Sequence, residues 1–529
     1  VTRRFNTAGP CLPDLHYAVP ALSRLPSAPR LVEEFGYFVV HAPRQTGKTT
    51  TLRALAAELT ASGRFAALHF SCETGEAAGD DYGAAQRGIL QAIRWEADAQ
   101  LPETLLPPAW PDATNEALLQ AALRAWARAC PRPLALFFDE IDALRGQSLI
   151  SVLRQLRAGF SARPALFPAS VVLCGLRDVR EYKAFAGGHP GRLGTASPFN
   201  IKIESLRLGN FTADEARALY AQHTAETGQR FDPGVLERVI ELTGGQPRLV
   251  NALAREMVER LVPDVGEPVT PEHVERAKER LILARTTHLD SLAARLAEPR
   301  VRRVLEPILA GGLLVDASDD DPYDDDLQYV RDLGLVAPDN PVRVANPIYR
   351  EVIARVLAGA VEANVTAQPR AFVGRDGTLD LPGLLEEFAA FWRENGEILT
   401  AGQRYHEAAP QLVLMGFLQR LINGGGFVER EYGIGRGRID LHIRWPYSDP
   451  DGTRRWQREA IELKVWRPGR PDPLSEGLTQ LDAYLDRLAL ATGTLVVFDR
   501  RPRAAPIDER TRFGAATSPA GRPITVLRA

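Results

Sequence analysis

The stretch "YFVVHAPRQTGKTTTLRALAAEL", residues 37 to 59, limits the fold more than any other part of this chain. An apolar run from Tyr37 to His41 breaks at Ala42 and Pro43 and passes through Gly47, Lys48 and Thr49. It resumes as apolar residues at helical spacing. Strand, tight loop and helix follow. Such a loop aims backbone N–H groups and the positive end of a helix at one point, which suits a phosphate-like anion. Lys48 adds a compact ammonium with three donors.

Further buried-strand candidates are "FAALHF" (65 to 70), "LALFF" (134 to 138), "SVVLC" (170 to 174) and "NIKIESL" (200 to 206), with helical patterns such as 114 to 128 between them. Alternation of this kind predicts an α/β fold with a parallel sheet covered on both faces. Residues Ala42, Pro43, Arg44, Gln45, Thr46, Gly47, Lys48, Thr49 and Thr50 form the expected phosphate-binding loop, in which Ala42 stands where the pattern has its first glycine. One methyl group is tolerated there if the backbone φ is negative. The strand "LALFF" ends in Asp139 and Glu140. Asp139 and Thr49 suit Mg²⁺, and Glu140 suits polarisation of an attacking water.

These motifs resemble AAA-type and STAND-type P-loop ATPases over residues 1 to about 285. The resemblance implies ATP and Mg²⁺ as cofactors, a helical lid from Phe211 onward that opens on the Thr212 cap, and a homo-oligomer through the ATPase domain. It implies Arg177 as γ-phosphate sensor, Gly245 and Pro247 touching the nucleotide, Arg248 as a second sensor, and Arg192 as a trans-acting finger. Residues 286 to 362 read as a winged-helix module: helix, turn, short strand pair, helix. The aspartates between 316 and 326 lack the glycine and terminal glutamate of a calcium loop and read as a solvated acidic loop.

A second chemical site lies in "REAIELKVW", residues 458 to 466. Lys464 is one of only five lysines, with Lys48, Lys183, Lys202 and Lys278, in a chain whose positive charge is otherwise arginine. Glu462 and Lys464, two apart on a strand, share a face, and Asp440 lies on a preceding strand in "GRGRIDLHIRW". This order resembles the core of the PD-(D/E)XK nucleases. "GLTQLDAYLDRLAL" adds Gln480 and Tyr484, four apart on an amphipathic helix, as in the RecB-like branch. The resemblance implies Asp440 and Glu462 as metal ligands, Glu407 as a first-helix carboxylate at the metal, and Lys464 at the reacting hydroxide or phosphorane. Gln480 and Tyr484 complete the implied catalytic set. Ile439 replaces the usual proline before the aspartate, and Arg436, Arg438 and Arg444 flank the site.

With 45% hydrophobic and 25% charged residues the chain is globular, and no apolar run is long enough to cross a membrane. The opening carries no secretory pattern, so a cytoplasmic protein with four reduced cysteines is expected. Histidines, His442 among them, are not required by either site. A net charge of -3 means that nucleic acid, DNA first, would be held by a local patch. The expected modules are an ATPase core (1–208), a helical lid (209–285), the winged-helix module (286–362) and a restriction-endonuclease-like α/β domain (369–529). The expected function is ATP-controlled, Mg²⁺-dependent phosphodiester hydrolysis, and resemblance adds prokaryotic anti-phage or mobile-element defence. The alternatives are an ATP-driven oligomeric switch whose nuclease-like domain only binds nucleic acid or a partner, and a DNA-repair motor nuclease.

Overall fold

A computed structural model of the chain describes residues 2–176, 199, 201–284, 294–296, 298–309, 325–339, 342–362, 369–400, 409–422, 426–434 and 437–529. Arg177, Arg192, Glu407, Arg436 and most of the acidic loop lie outside the described residues. The chain divides into two compact units. The first holds Val1–Arg285, Gln328–Ala337 and Ala345–Pro347, and the second holds Thr286–Leu327, Pro338–Val344 and Ile348–Ala529.

In the first unit five parallel strands are ordered β2-β3-β4-β1-β5: β1 (Tyr37–His41), β2 (Ala66–Ser71), β3 (Leu134–Asp139), β4 (Ser170–Gly175) and β5 (Glu204–Arg207). Their apolar character is continuous because both faces are buried. Tyr37, Val39, Leu68 and Leu136 enter one core with the helices Tyr82–Gln100, Leu118–Ala129 and Gly146–Gly159. Phe38, Val40, Ala67 and Phe137 enter the other, against Leu52, Leu55, Ala56 and Leu59 of the helix Lys48–Ala61. The strand expected at 200 to 206 is shorter, because this edge strand pairs only with β1, where Phe38 to His41 face Glu204 to Arg207. A helical stretch follows, with helices Ala213–Thr227, Val235–Thr243, Pro247–Glu256 and Pro271–Leu283. Thr212 and Glu215 form a capping box: Glu215 N donates to Thr212 Oγ1 at 3.1 Å, and Thr212 N donates to Glu215 Oε2 at 2.8 Å.

Between 286 and 362 the described helices are Pro299–Leu309, Asp325–Asp332 and Pro347–Glu362. Val336 and Val344 are single-residue bridges where a strand pair was expected. The intervening "PDNP" brings prolines at 338 and 341, which lack the N–H that a ladder needs.

In the second unit a mixed sheet is ordered β10-β11-β9-β8-β7-β6: β6 (Phe427–Ile434), β7 (Gly437–Ser448), β8 (Arg454–Trp466), β9 (Gly493–Asp499), β10 (Arg512–Thr517) and β11 (Pro523–Arg528). β6, β7 and β8 are antiparallel neighbours, whereas β8 runs parallel to β9. Leu441, Ile443 and Leu463 face a core with Leu384, Phe388, Trp392 and Phe417 from the helices Leu381–Thr400 and Ala409–Ile422. The opposite face packs Ala460, Leu495 and Val497 under Leu481, Leu485 and Leu488 of the helix Leu474–Leu488. Among the described residues no helix is long and apolar enough to cross a membrane.

Candidate functional site

The loop after β1 is shaped by two left-handed residues, Gln45 (φ 63°) and Gly47 (φ 92°), while Ala42 is not left-handed. The methyl group that replaces the pattern's glycine is therefore accommodated without strain. Lys48 is buried, and its Nζ donates to the carbonyls of Ala42 (2.9 Å) and Pro43 (3.1 Å). Arg24 braces the loop, donating to Thr46 O at 2.7 Å and also to Gly209 O. Burial lowers its guanidinium to about 10.

Asp139 closes β3, two strands from β1 in the sheet order. Its Oδ2 accepts from Thr49 Oγ1 at 2.7 Å and lies 2.9 Å from His69 Nε2. Burial alone would push this carboxyl up, but bonds from His69, Thr49 and Cys174 hold it at about 2. Glu140 follows in a left-handed conformation (φ 51°), its N–H donating to Asp139 Oδ1 at 2.9 Å. A β-carbon in that region costs on the order of 1 kcal/mol or more and aims the side chain away from the strand. Burial raises the Glu140 carboxyl above its ordinary value.

These groups line a cleft of about 480 Å³ with Arg44, Gln45, Thr50, Phe211, Pro247 and Arg248. The opening segment also lines it: Cys11 N donates to Thr50 Oγ1 at 3.0 Å, and Arg255 donates to Thr7 Oγ1 at 2.8 Å. Gly245 (φ 72°) must be glycine, since a β-carbon there would meet Phe211 O at 2.1 Å. Gln246 then caps the helix that begins at Pro247, accepting from Leu249 N at 2.7 Å. Sequence reasoning missed His69 and Arg24. The signal for His69 was a lone imidazole inside the apolar strand "FAALHF"; for Arg24 the sequence carries none.

In the second unit Leu441 pairs with Ile461 across the β7–β8 hairpin. Asp440 and Glu462, one step beyond that pair on each strand, are thereby brought side by side on one face. Asp440 Oδ2 accepts from Leu463 N at 2.8 Å. Lys464 Nζ donates to Glu462 Oε1 at 2.8 Å and to Gln480 Oε1 on the overlying helix. Gly477 lets that helix approach, since a β-carbon would lie 2.7 Å from the Leu495 side chain and 3.2 Å from Lys464 Cγ. Tyr484 packs half-buried in the apolar cluster beneath the same helix.

Glu462 is buried, and its Oε2 has no hydrogen-bond partner among the described residues. Burial and then the neighbouring Asp440 carboxylate push Glu462 up to about 8, against the pull of Lys464. The Lys464 ammonium, although desolvated, is raised by Glu462. An orphaned carboxylate oxygen beside a second carboxylate is a hard-oxygen donor set that fits a divalent cation such as Mg²⁺. Among the described residues no group of three or more His, Cys, Asp or Glu is arranged to hold a metal ion, so this pair stands without a third described ligand.

Among curated proteins none matches the chain. Solved structures similar to it include the Walker-type ATPase of Pyrococcus abyssi, at 15% identity and TM-score 0.45, covering 66% of this chain and 99% of that one. The Aeropyrum pernix ORC2 protein, in ADPNP-ADP complexes, is 15% identical at TM-score 0.37, covering 65% and 96%. The Thermotoga maritima RuvB Holliday junction branch migration motor is 14% identical at TM-score 0.33, covering 63% and 92%. Likenesses of this size carry no weight for function. Residues 33–182 match the AAA domain family, and with the loop and the Asp139–Glu140 strand end described above they form an AAA-type P-loop ATPase domain.

Proposed function

We propose that the chain hydrolyses ATP in its first unit and cuts phosphodiester bonds, DNA first, in residues 369–529, with the nucleotide state setting the rate of cutting. In the cleft Lys48 neutralises the β- and γ-phosphates and Glu140 orients the attacking water. Thr49 and Asp139 would hold Mg²⁺, Pro247 and Arg248 lie where the nucleotide is contacted, and Arg177 is proposed as the γ-phosphate sensor. Residues 286–362 are proposed to act as a winged-helix module, and copies of the chain are proposed to assemble through the ATPase domain.

The observation that supports the nuclease reading most strongly is the unsatisfied buried Oε2 of Glu462 beside Asp440 and Lys464. Asp440 and Glu462 would hold the cation, with Glu407 as the proposed third carboxylate. A cation held there supplies charge stabilisation to the scissile phosphate. Lys464, fixed by Glu462 and Gln480, presents a compact ammonium to the attacking hydroxide or the developing phosphorane. Tyr484 supports the helix that carries Gln480.

The test is cleavage of single-stranded, double-stranded and RNA substrates with Mg²⁺, in ATP, ADP and no nucleotide. Wild-type protein should cut, and Lys464→Arg should nearly abolish cutting without loss of fold, because a guanidinium fork is broader than an ammonium. Lys464→Arg protein that melts normally and cuts at the wild-type rate would sink the role given to this lysine. Equal rates in all three nucleotide states would mean two independent activities.

A further inference from the structure

Behind Thr49 and Asp139 the cleft holds a buried imidazole with a neighbour at each ring nitrogen. His69 lies on β2 between Leu68 and Phe70, both fully buried, and is itself 2% exposed. A polar ring taken out of water inside an apolar strand costs free energy unless it finds partners. The parallel register pairs Ser71 with Asp139 and His69 with Phe137, which sets His69 diagonally behind Asp139 on the neighbouring strand.

The helix Lys48–Ala61 supplies the rest. Thr49 and Arg53, four residues apart, share one of its faces. Thr49 Oγ1 donates to Asp139 Oδ2 at 2.7 Å, and Arg53 Nε lies 3.5 Å from His69 Nδ1. The helix thus sets one donor on each member of the His69–Asp139 pair, whose own contact, Nε2 to Oδ2, is 2.9 Å. A guanidinium N–H is met only by a ring nitrogen that carries no proton, so the ring proton sits on Nε2 and is donated to the carboxylate. Arg53 is steadied by Glu96 at 3.7 Å, and Gln100 donates to His69 O at 3.0 Å.

Asp139 is therefore held at both oxygens, Oδ2 by Thr49 and His69 and Oδ1 by Glu140 N at 2.9 Å, with the weaker thiol of Cys174 beside them. Thr49 and Glu140 belong to the loop and the bend that meet the nucleotide. His69 donates from within the sheet, where its place is set whatever enters the cleft. Hydrogen bonds to a metal-binding carboxylate tune how well it holds the metal.

We infer that His69 is a positioning residue that fixes the orientation of the Asp139 carboxylate and thereby sets how tightly Mg²⁺ is held with the nucleotide. This rests on the Mg²⁺ role proposed for Thr49 and Asp139, and the two can fail separately.

The experiment titrates the full chain with a fluorescently labelled, non-hydrolysable ATP, once in Mg²⁺ and once in EDTA, and reads the gain in affinity that Mg²⁺ brings. In His69→Leu the affinity in EDTA should stay at the wild-type value while the Mg²⁺ gain falls roughly tenfold. His69→Asn, whose amide reaches only as far as Nδ1, should lose as much. His69→Gln, whose amide reaches the place of Nε2, should restore most of the gain. Melting without nucleotide checks the fold, and the contrast between asparagine and glutamine carries the test if leucine unfolds the protein. An imidazole that served packing alone would lower affinity in both buffers alike or in neither, and either result overturns the positioning role. A full wild-type gain in His69→Leu removes His69 alone, whereas wild-type affinity that ignores Mg²⁺ removes the Mg²⁺ site and this role together.

Discussion

Two buried acids, Asp139 in the first unit and Glu462 in the second, are treated in opposite ways by their surroundings. Asp139 ends a parallel strand where Thr49, His69 and Cys174 supply donors, and its carboxyl is held down at about 2. Glu462 sits in an antiparallel hairpin beside another acid, with Lys464 on one oxygen and no partner among the described residues on the other, and is pushed up to about 8. Burial works against ionisation in both places; the number of donors decides which way the balance falls. Asp139 is therefore well supplied with donors from its own surroundings. In the second unit, Glu462 Oε2 lacks a hydrogen-bond partner among the described residues, a place where a divalent cation would fit.

The contrast can be broken first at the chemistry, where effects are largest. Lys48→Ala should abolish nucleotide binding, whereas Glu140→Gln should keep binding and slow hydrolysis by roughly a hundredfold or more, because one residue meets the phosphates and the other the water. Nucleotide titration beside phosphate release separates them, and equal loss of affinity in both would contradict the assignment.

A third buried acid sharpens the rule about donors. Burial would raise Glu275, but Lys278 (2.6 Å) and Arg238 (2.5 Å) hold it near 2. A depressed acid contributes stability that is present above its unfolded pKa and lost as pH falls through the folded value. This contribution should therefore be intact above about 4.5 and disappear toward 2. Glu275→Gln should cost about 2 kcal/mol near neutral pH, because half-buried Arg238 and Lys278 lose the buried carboxylate they share, Arg238 keeping its pair with Glu241. Its stability should also decline less between those pH values than that of wild type, as read by denaturant unfolding at a series of pH values.

At the two sites themselves the metal-free protein should rank the substitutions. Asp139→Asn should cost about 2 kcal/mol, because three donors lose the charge they were arranged around. Glu462→Gln should cost less than about 1 kcal/mol, since burial and Asp440 already oppose ionisation of this acid and an amide replaces it isosterically. Denaturant unfolding in EDTA that ranked them the other way would end the contrast. Mg²⁺ without nucleotide should then raise the melting temperature of wild type more than that of Glu462→Gln.

What the sequence disclosed follows from what is local. Strands β1 to β4 of the parallel sheet stood out because both faces are buried and the runs are apolar, and the Thr212 cap because its partner is three residues away. The order of the second sheet, with β9 and β11 parallel to β8, did not stand out, since strand neighbours are chosen by long-range packing. His69 shows the same limit within a site. Its imidazole is visible in "FAALHF", but its meaning depends on Asp139, seventy positions later on the neighbouring strand. Pairing of Asp440 with Glu462 was inferred from family order, whereas the missing donor on Glu462 needed coordinates.

The left-handed bend at Glu140 bears on how this protein would respond to selection for robustness alone. Glycine fits such a bend without penalty and asparagine with little, so a screen scored on survival to heating would drift toward those residues at position 140. Its winners would be sturdier and would hold nucleotide without consuming it. Under the water-orienting role proposed for Glu140, the strain of this bend is tolerated for turnover rather than for endurance.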